Sequence, residues 1–226
     1  MTATVGARTP ESTTSGRWSS WGIALLLPVG PAAVAVLRYV LPYDTVDDSS
    51  TMVRKAIAEP GRASLVLWLG FVAVLTLVPA VYAVGRMTRS RAPQLTAAAM
   101  LLLIPGYLAL GWLAAGDQVL WLGPKAGLAA DQVTRLYDAA HPTTEIAEVV
   151  FVLGHVVGTI LLGIALWRSQ VVARWAAVAV IVSQPIHIVA AVVVPNHTLD
   201  LVGWGLQAVG FAAVGWAILR PRARSV

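Results

Sequence analysis

The sequence predicts an all-α polytopic membrane protein of six transmembrane helices with both termini in the cytoplasm, and three observations carry that prediction. Of 226 residues 58% are hydrophobic and 12% charged, with a mean hydropathy of +0.74, a balance that soluble domains do not reach. Six continuous apolar runs each supply the about 20 residues that a helix needs to cross the hydrocarbon. The charges between the runs sort by side. One side collects Arg8, Arg17, Arg86, Arg89, Arg91, Arg168, Arg174, Arg220, Arg222 and Arg224 against Glu11 alone, a net of +9 from ten cations and one acid. The other side holds six cations against ten acids, a net of −4, so the positive-inside rule puts the termini within.

Residues 1–20 read as a disordered cytoplasmic tail and 220–226 as a basic one, with the membrane domain between them. The runs cover residues 21–41, 63–84, 95–115, 146–167, 175–194 and 201–219. Their continuity excludes the short dyad patterns of a membrane barrel. Ala33-Val34-Ala35 imitates a signal-peptide cleavage site, but the first run continues to Leu41 and is read as a span. Trp18, Trp21, Trp167, Trp175 and Trp216 cluster at the inner ends of the runs, and Trp112, Trp121 and Trp204 toward the outer ends, as interfacial anchors do. The inner loops are short, so successive helices are antiparallel neighbours. The outer segments 42–62 and 116–145 are long enough for short helices. Met52, Val53, Ala56 and Ile57 recur at helical spacing after a Ser49-Ser50 cap, and Val133, Leu136, Tyr137 and Ala140 repeat the pattern. These segments lie on the membrane surface, lid a cavity or are plain connections.

No cysteine is present, which excludes disulfides, thiolate metal sites and cysteine nucleophiles. The basic residues are dispersed between spans instead of forming a groove, so nucleic acid is not a partner; the lipid bilayer is. Serine-hydrolase, phosphate-loop and dinucleotide motifs are absent.

Polar side chains within the runs gather toward the outer side. Counted at 1.5 Å per residue from the outer ends, Tyr107, His155, His187 and Gln207 lie about 9–13 Å deep. Asp117, Glu148 and Asp200 stand nearer the rim, and Thr159, Ser183 and Gln184 lie just below. Helical spacing puts Glu148, His155 and Thr159 on one face, Gln184 with His187 on another, and Asp200, Trp204 and Gln207 on a third. Intramembrane ionisable groups mark functional sites by default. The layer therefore reads as an outward-facing pocket in which Tyr107, His155, Gln184, His187, Trp204 and Gln207 bind a small amphipathic or lipid-like molecule. Interhelical hydrogen bonding is the other reading. Arg38, inside the first run, either snorkels to the interface or pairs with Asp117 or Glu148. Gly154 to Gly158 form a GxxxG, whose meaning is backbone contact between helices, and Pro28, Pro31, Pro79, Pro105 and Pro185 kink their runs.

Two alternatives involve chemistry. Glu148, Asp117 or Asp200 would be the proton donor of an acid–base enzyme acting on an isoprenoid or lipid, an analogy of architecture with small membrane terpene cyclases. His155 and His187 would be the axial ligands of one haem b; otherwise no cofactor or metal is expected. Whether the chain is an enzyme, and its oligomeric state, stay open at this level.

Gly154-His155, Gly158, Leu161-Leu162-Gly163, Ala165-Leu166-Trp167-Arg168, Arg174-Trp175-Ala176-Ala177 and Gln184-Pro185 resemble the small six-helix membrane proteins of actinobacteria. The resemblance covers the fourth and fifth helices, and the remainder by topology only. It implies the six-helix fold and a bacterial plasma membrane and assigns no catalytic residue. Where many such proteins carry proline, this chain has Ala173.

Overall fold

The computed structural model describes residues 13–220, with side chains from Ser20 onward. The expectations placed on residues 1–12 and 221–226, and on the side chains of Arg17 and Trp18, lie outside the described residues. Among those residues every element is helical: α1 (Thr13–Leu26), α2 (Val29–Val40), α3 (Ser49–Ala58), α4 (Pro60–Thr88), α5 (Pro93–Lys125), α6 (Ala130–Asp138), α7 (Thr143–Ser169), α8 (Arg174–Ile188) with a π-helical continuation at Val189–Val193, and α9 (His197–Leu219). Six apolar stretches are long enough to cross a membrane: Ser20–Val40, α4, α5, α7, α8 with its π-helical turn, and α9. Trp68, Phe71, Leu101 and Ile146 are more than half exposed on them, which suits lipid and not water.

The boundaries differ from the sequence reading where local chemistry overrides hydropathy. The first helix begins at Thr13, inside the segment read as a tail, and the first span breaks at Pro28, which has no N–H to continue the helical ladder. α5 runs 33 residues, about 50 Å at the helical rise, and so projects past a hydrocarbon core of about 30 Å. The cap of α3 is Asp48, whose carboxylate accepts from the Thr51 N–H, and not the Ser49-Ser50 pair. Beyond Pro185 the helix re-forms at π spacing, with the Val194 N–H reaching the Val189 carbonyl at 2.8 Å. Thr45 donates to the Ala191 carbonyl of that turn at 2.7 Å.

Each span packs on the next in chain order, and α9 returns against α2, so the six close into a ring. Ser20 and Arg220 line a common cavity, so the start of the first span and the end of α9 share one end of the bundle, here the termini end. Leu27, Leu77, Ala80, Val81, Leu103, Leu162, Leu166, Phe211 and Val214 fill the ring. At the far end α3 and α6 pack on each other and on the projecting end of α5 around Val53, Ala56, Leu120 and Val133. Together they make a small helical layer, the lid, against that end of α5.

Glycine sets two approaches that position the polar layer. A Cβ at Gly154 of α7 would stand 2.6 Å from the Leu102 carbonyl oxygen and 2.8 Å from the Gly106 Cα of α5, so these helices touch through their backbones, as the GxxxG predicts. A Cβ at Gly203 would stand 3.0 Å from the His187 nitrogen, so α9 lies against α8 where His187 meets Asp200 and Trp204.

Candidate functional site

The polar layer is built in two tiers. In the upper tier Asp200, in the first turn of α9, receives the Arg38 Nε of α2 at 2.5 Å and the His187 Nδ1 of α8 at 2.5 Å. Asp200 is 1% exposed and His187 7%, so the carboxylate is balanced by the guanidinium inside the protein. His155 of α7 completes the tier: its ring lies 5.3 Å from that of His187 and stacks on Trp204 at 5.6 Å and on Phe151 at 4.2 Å. Trp204 in turn meets His187 edge-on at 5.4 Å. In the lower tier Gln184 Nε2 donates to Gln207 Oε1 at 2.8 Å, and Gln207 Nε2 donates to Tyr107 Oη at 2.9 Å. Tyr107 Oη lies 3.4 Å from Thr159 Oγ1. Together the tiers join every span except α4.

The hydrogen bonds fix the tautomers. His155 Nδ1 faces the Phe151 carbonyl oxygen at 2.6 Å, an acceptor only, so Nδ1 carries the proton and Nε2 is a bare lone pair. His187 Nδ1 likewise donates to the carboxylate. Three buried polar atoms of the layer have no partner in the protein: His155 Nε2, Gln184 Oε1 and Trp204 Nε1. The first two are acceptors and the third is a donor.

Tyr107, His155, Gln184, His187, Trp204 and Gln207 thus come together, but on two levels instead of one. The depths were counted from run ends that the structure moves, since α5 continues to Lys125 and α9 starts at His197. Asp200 joins them at the centre. Asp117 does not: it takes the phenolic hydrogen bond of Tyr43 beneath the lid. Tyr43, Asp117, Ala56 and Leu120 help line a cavity of about 10 Å³, the room of roughly one water. The Tyr43 phenol is held well above its usual range, by burial first and then by the Asp117 carboxylate. Glu148 is exposed and makes no hydrogen bond or ion pair with any described residue.

Sequence reasoning missed the Arg38–Asp200 pair and Tyr43. The signal for the first was topological: an even number of spans closing into a ring puts the last turn of the first beside the first turn of the sixth. Tyr43 carried no signal, because its partner lies across a loop of unpredictable path.

The arrangement offers an imidazole oriented by a carboxylate, the geometry of a general base, and an aromatic wall beside it. Among the described residues no three His, Asp or Glu side chains cluster as metal ligands. The rings of His155 and His187 approach each other directly, and a porphyrin between them would require the rings to separate. No family model, curated protein or solved structure matches the chain, so the site is read from its own chemistry.

Proposed function

We propose that this multi-pass protein of a bacterial plasma membrane, of the actinobacterial six-helix kind, binds a small amphipathic molecule in the upper tier, with the termini end in the cytoplasm. The observation that supports it is the set of unpartnered atoms. Each buried polar atom left unpaired costs about 1–3 kcal/mol, whereas an interhelical hydrogen bond contributes only about 0.6–2 kcal/mol. Three such atoms offset much of what the layer gains as helix glue, so helix packing alone does not account for them. A hydroxyl or similar head group, able to donate to His155 Nε2 and accept from Trp204 Nε1, matches two of the three, and a hydrocarbon tail suits the bilayer.

A second reading follows from His187–Asp200: acid–base chemistry on a lipid-phase substrate, with His187 as the base in place of the acids the sequence suggested. Haem b on His155 and His187 is the third. One measurement separates them. Protein purified in mild detergent is examined by absorption and native mass spectrometry. A co-purifying isoprenoid or lipid that disappears in Trp204→Phe and His155→Ala supports the proposal. A Soret band replaces it with haem ligation, and the absence of any bound species in folded wild-type protein returns the layer to a structural role.

Orientation has a clean assay because the chain has no cysteine. A membrane-impermeant maleimide should label Ala139→Cys on intact cells and Ser90→Cys only after lysis; the reverse pattern inverts the topology.

A further inference from the structure

We propose a second binding site, for the phosphate-bearing head group of an anionic phospholipid, in the cavity between α1, α4 and α9 at the termini end. The cavity holds about 260 Å³ and is lined by Ser20, Met87, Ala217, Ile218 and Arg220. That is below the about 300–1,000 Å³ of sites for drug-sized molecules and suits a head group. Its lining is mixed. Met87, Ala217 and Ile218 offer apolar surface, while Arg220 offers a guanidinium at the end of the bundle where head groups sit.

Charge selects the occupant. At the far end four of the six cations pair with carboxylates, Arg38 with Asp200, Lys55 with Asp44 and Asp47, Arg62 with Glu59 and Arg135 with Asp131, while Arg54 donates to the Ser50 and Thr51 hydroxyls and Lys125 lies over the Trp121 ring. At the termini end, among the described residues, there is no acid at all. Arg86, Arg89, Arg168, Arg174 and Arg220 are exposed and have no carboxylate partner, and Arg91 spends one N–H on the Ser169 carbonyl. Arg220 lies over the Trp216 ring at 5.8 Å. A guanidinium can keep such a contact and still grip phosphate oxygens in pairs through its N–H groups. Arg86, one residue before the cavity-lining Met87, adds an exposed charge without a carboxylate partner to the same end of α4. A zwitterionic head group gains little from such a field, and an anionic one gains most.

The test uses the full chain in detergent. Native mass spectrometry compares retention of phosphatidylglycerol and phosphatidylcholine of equal acyl length, with inorganic phosphate as a separate arm. Phosphatidylglycerol should be retained roughly fivefold over phosphatidylcholine, the factor expected of about one guanidinium near an anionic surface. Arg220→Gln with Arg86→Gln should bring the ratio to about one, while Arg168→Gln should leave it unchanged. Ala217→Leu narrows the cavity without touching charge and should lower the ratio at unaltered thermal stability. That variant decides the matter if the double arginine variant does not fold. An unchanged ratio in both overturns the site; inorganic phosphate displacing the lipid at equal concentration overturns the lipid assignment in favour of a free anion.

Discussion

In the termini half of the bundle the buried polar side chains are hydroxyls that return to helix carbonyls close by. Thr88 bonds the Gly85 carbonyl and Thr96, Thr96 bonds the Ala92 carbonyl, and Ser169 bonds the Leu166 carbonyl. In the far half the buried polar set is His155, Thr159, Ser183, Gln184, His187, Asp200 and Gln207, and most of its bonds run between helices. Among the described residues only this half leaves imidazole, amide and indole atoms of the bundle core unpaired. The two halves share a solvent, a bilayer, and a ring of helices. Their difference shows that membrane burial by itself does not demand such a network, because the same chain satisfies its polar groups locally a few turns away.

The largest effect should come from breaking the charge balance of the upper tier. Asp200→Asn leaves the partly buried Arg38 without its carboxylate, and removing one partner of a buried pair costs up to about 3–5 kcal/mol. The variant should be recovered poorly and melt far below wild type in detergent thermal-shift assays. Arg38→Gln combined with Asp200→Asn should recover part of that loss; a double variant as unstable as the single would mean that the ion pair is not what holds α2 to α9. Next comes Gly154→Val, which drives a side chain into the Leu102 carbonyl and the Gly106 backbone. Overpacking of this kind costs about 1–3 kcal/mol, and native stability of this variant should fall accordingly.

A pair of substitutions sharpens the contrast between halves. Leu77, wholly buried in the apolar core, should cost about 2–5 kcal/mol as Leu77→Ala and leave any co-purifying molecule in place. Trp204→Phe breaks no hydrogen bond within the protein, since Nε1 has none to lose, and should cost less while removing the bound molecule. Stability and occupancy should therefore move independently. If both substitutions merely lower the melting temperature, the two halves differ in composition and not in role.

The six spans were legible because twenty apolar residues in a row have few other solutions, and the residues of the polar layer because each departs from that background. What hydropathy could not supply was the third dimension. Depth estimates merged two tiers, since Val119 to Leu122 extend α5 beyond the membrane where the nearby charge at Asp117 suggested an end. Asp117 and Asp200 look alike as rim acids in the sequence. The fold alone separates them, one beside a phenol under the lid and the other between a guanidinium and an imidazole.

The smallest expected effect concerns the lid. Asp48 caps α3, and its carboxyl is held below the usual range by the Ser50 hydroxyl, then by the Thr51 hydroxyl and N–H. A group whose folded value is depressed contributes stability above its unfolded value of about 3.9, and that contribution is lost as pH falls through the folded value. Tyr43 acts in the opposite sense. Its raised value means that the fold favours the neutral phenol, so its contribution is complete below the ordinary tyrosine value of about 10 and is lost as pH rises toward the folded one. Hydrogen exchange in α3 and α6, corrected for intrinsic rates, should therefore rise below about pH 4 and again above about pH 10. Asp48→Asn keeps a capping acceptor and should remove the acid limb alone. Tyr43→Phe should remove the alkaline limb, and a limb that survives its own variant would assign the lid's titration to other groups, Tyr137 first, since its phenol is also raised by burial and then by Asp117.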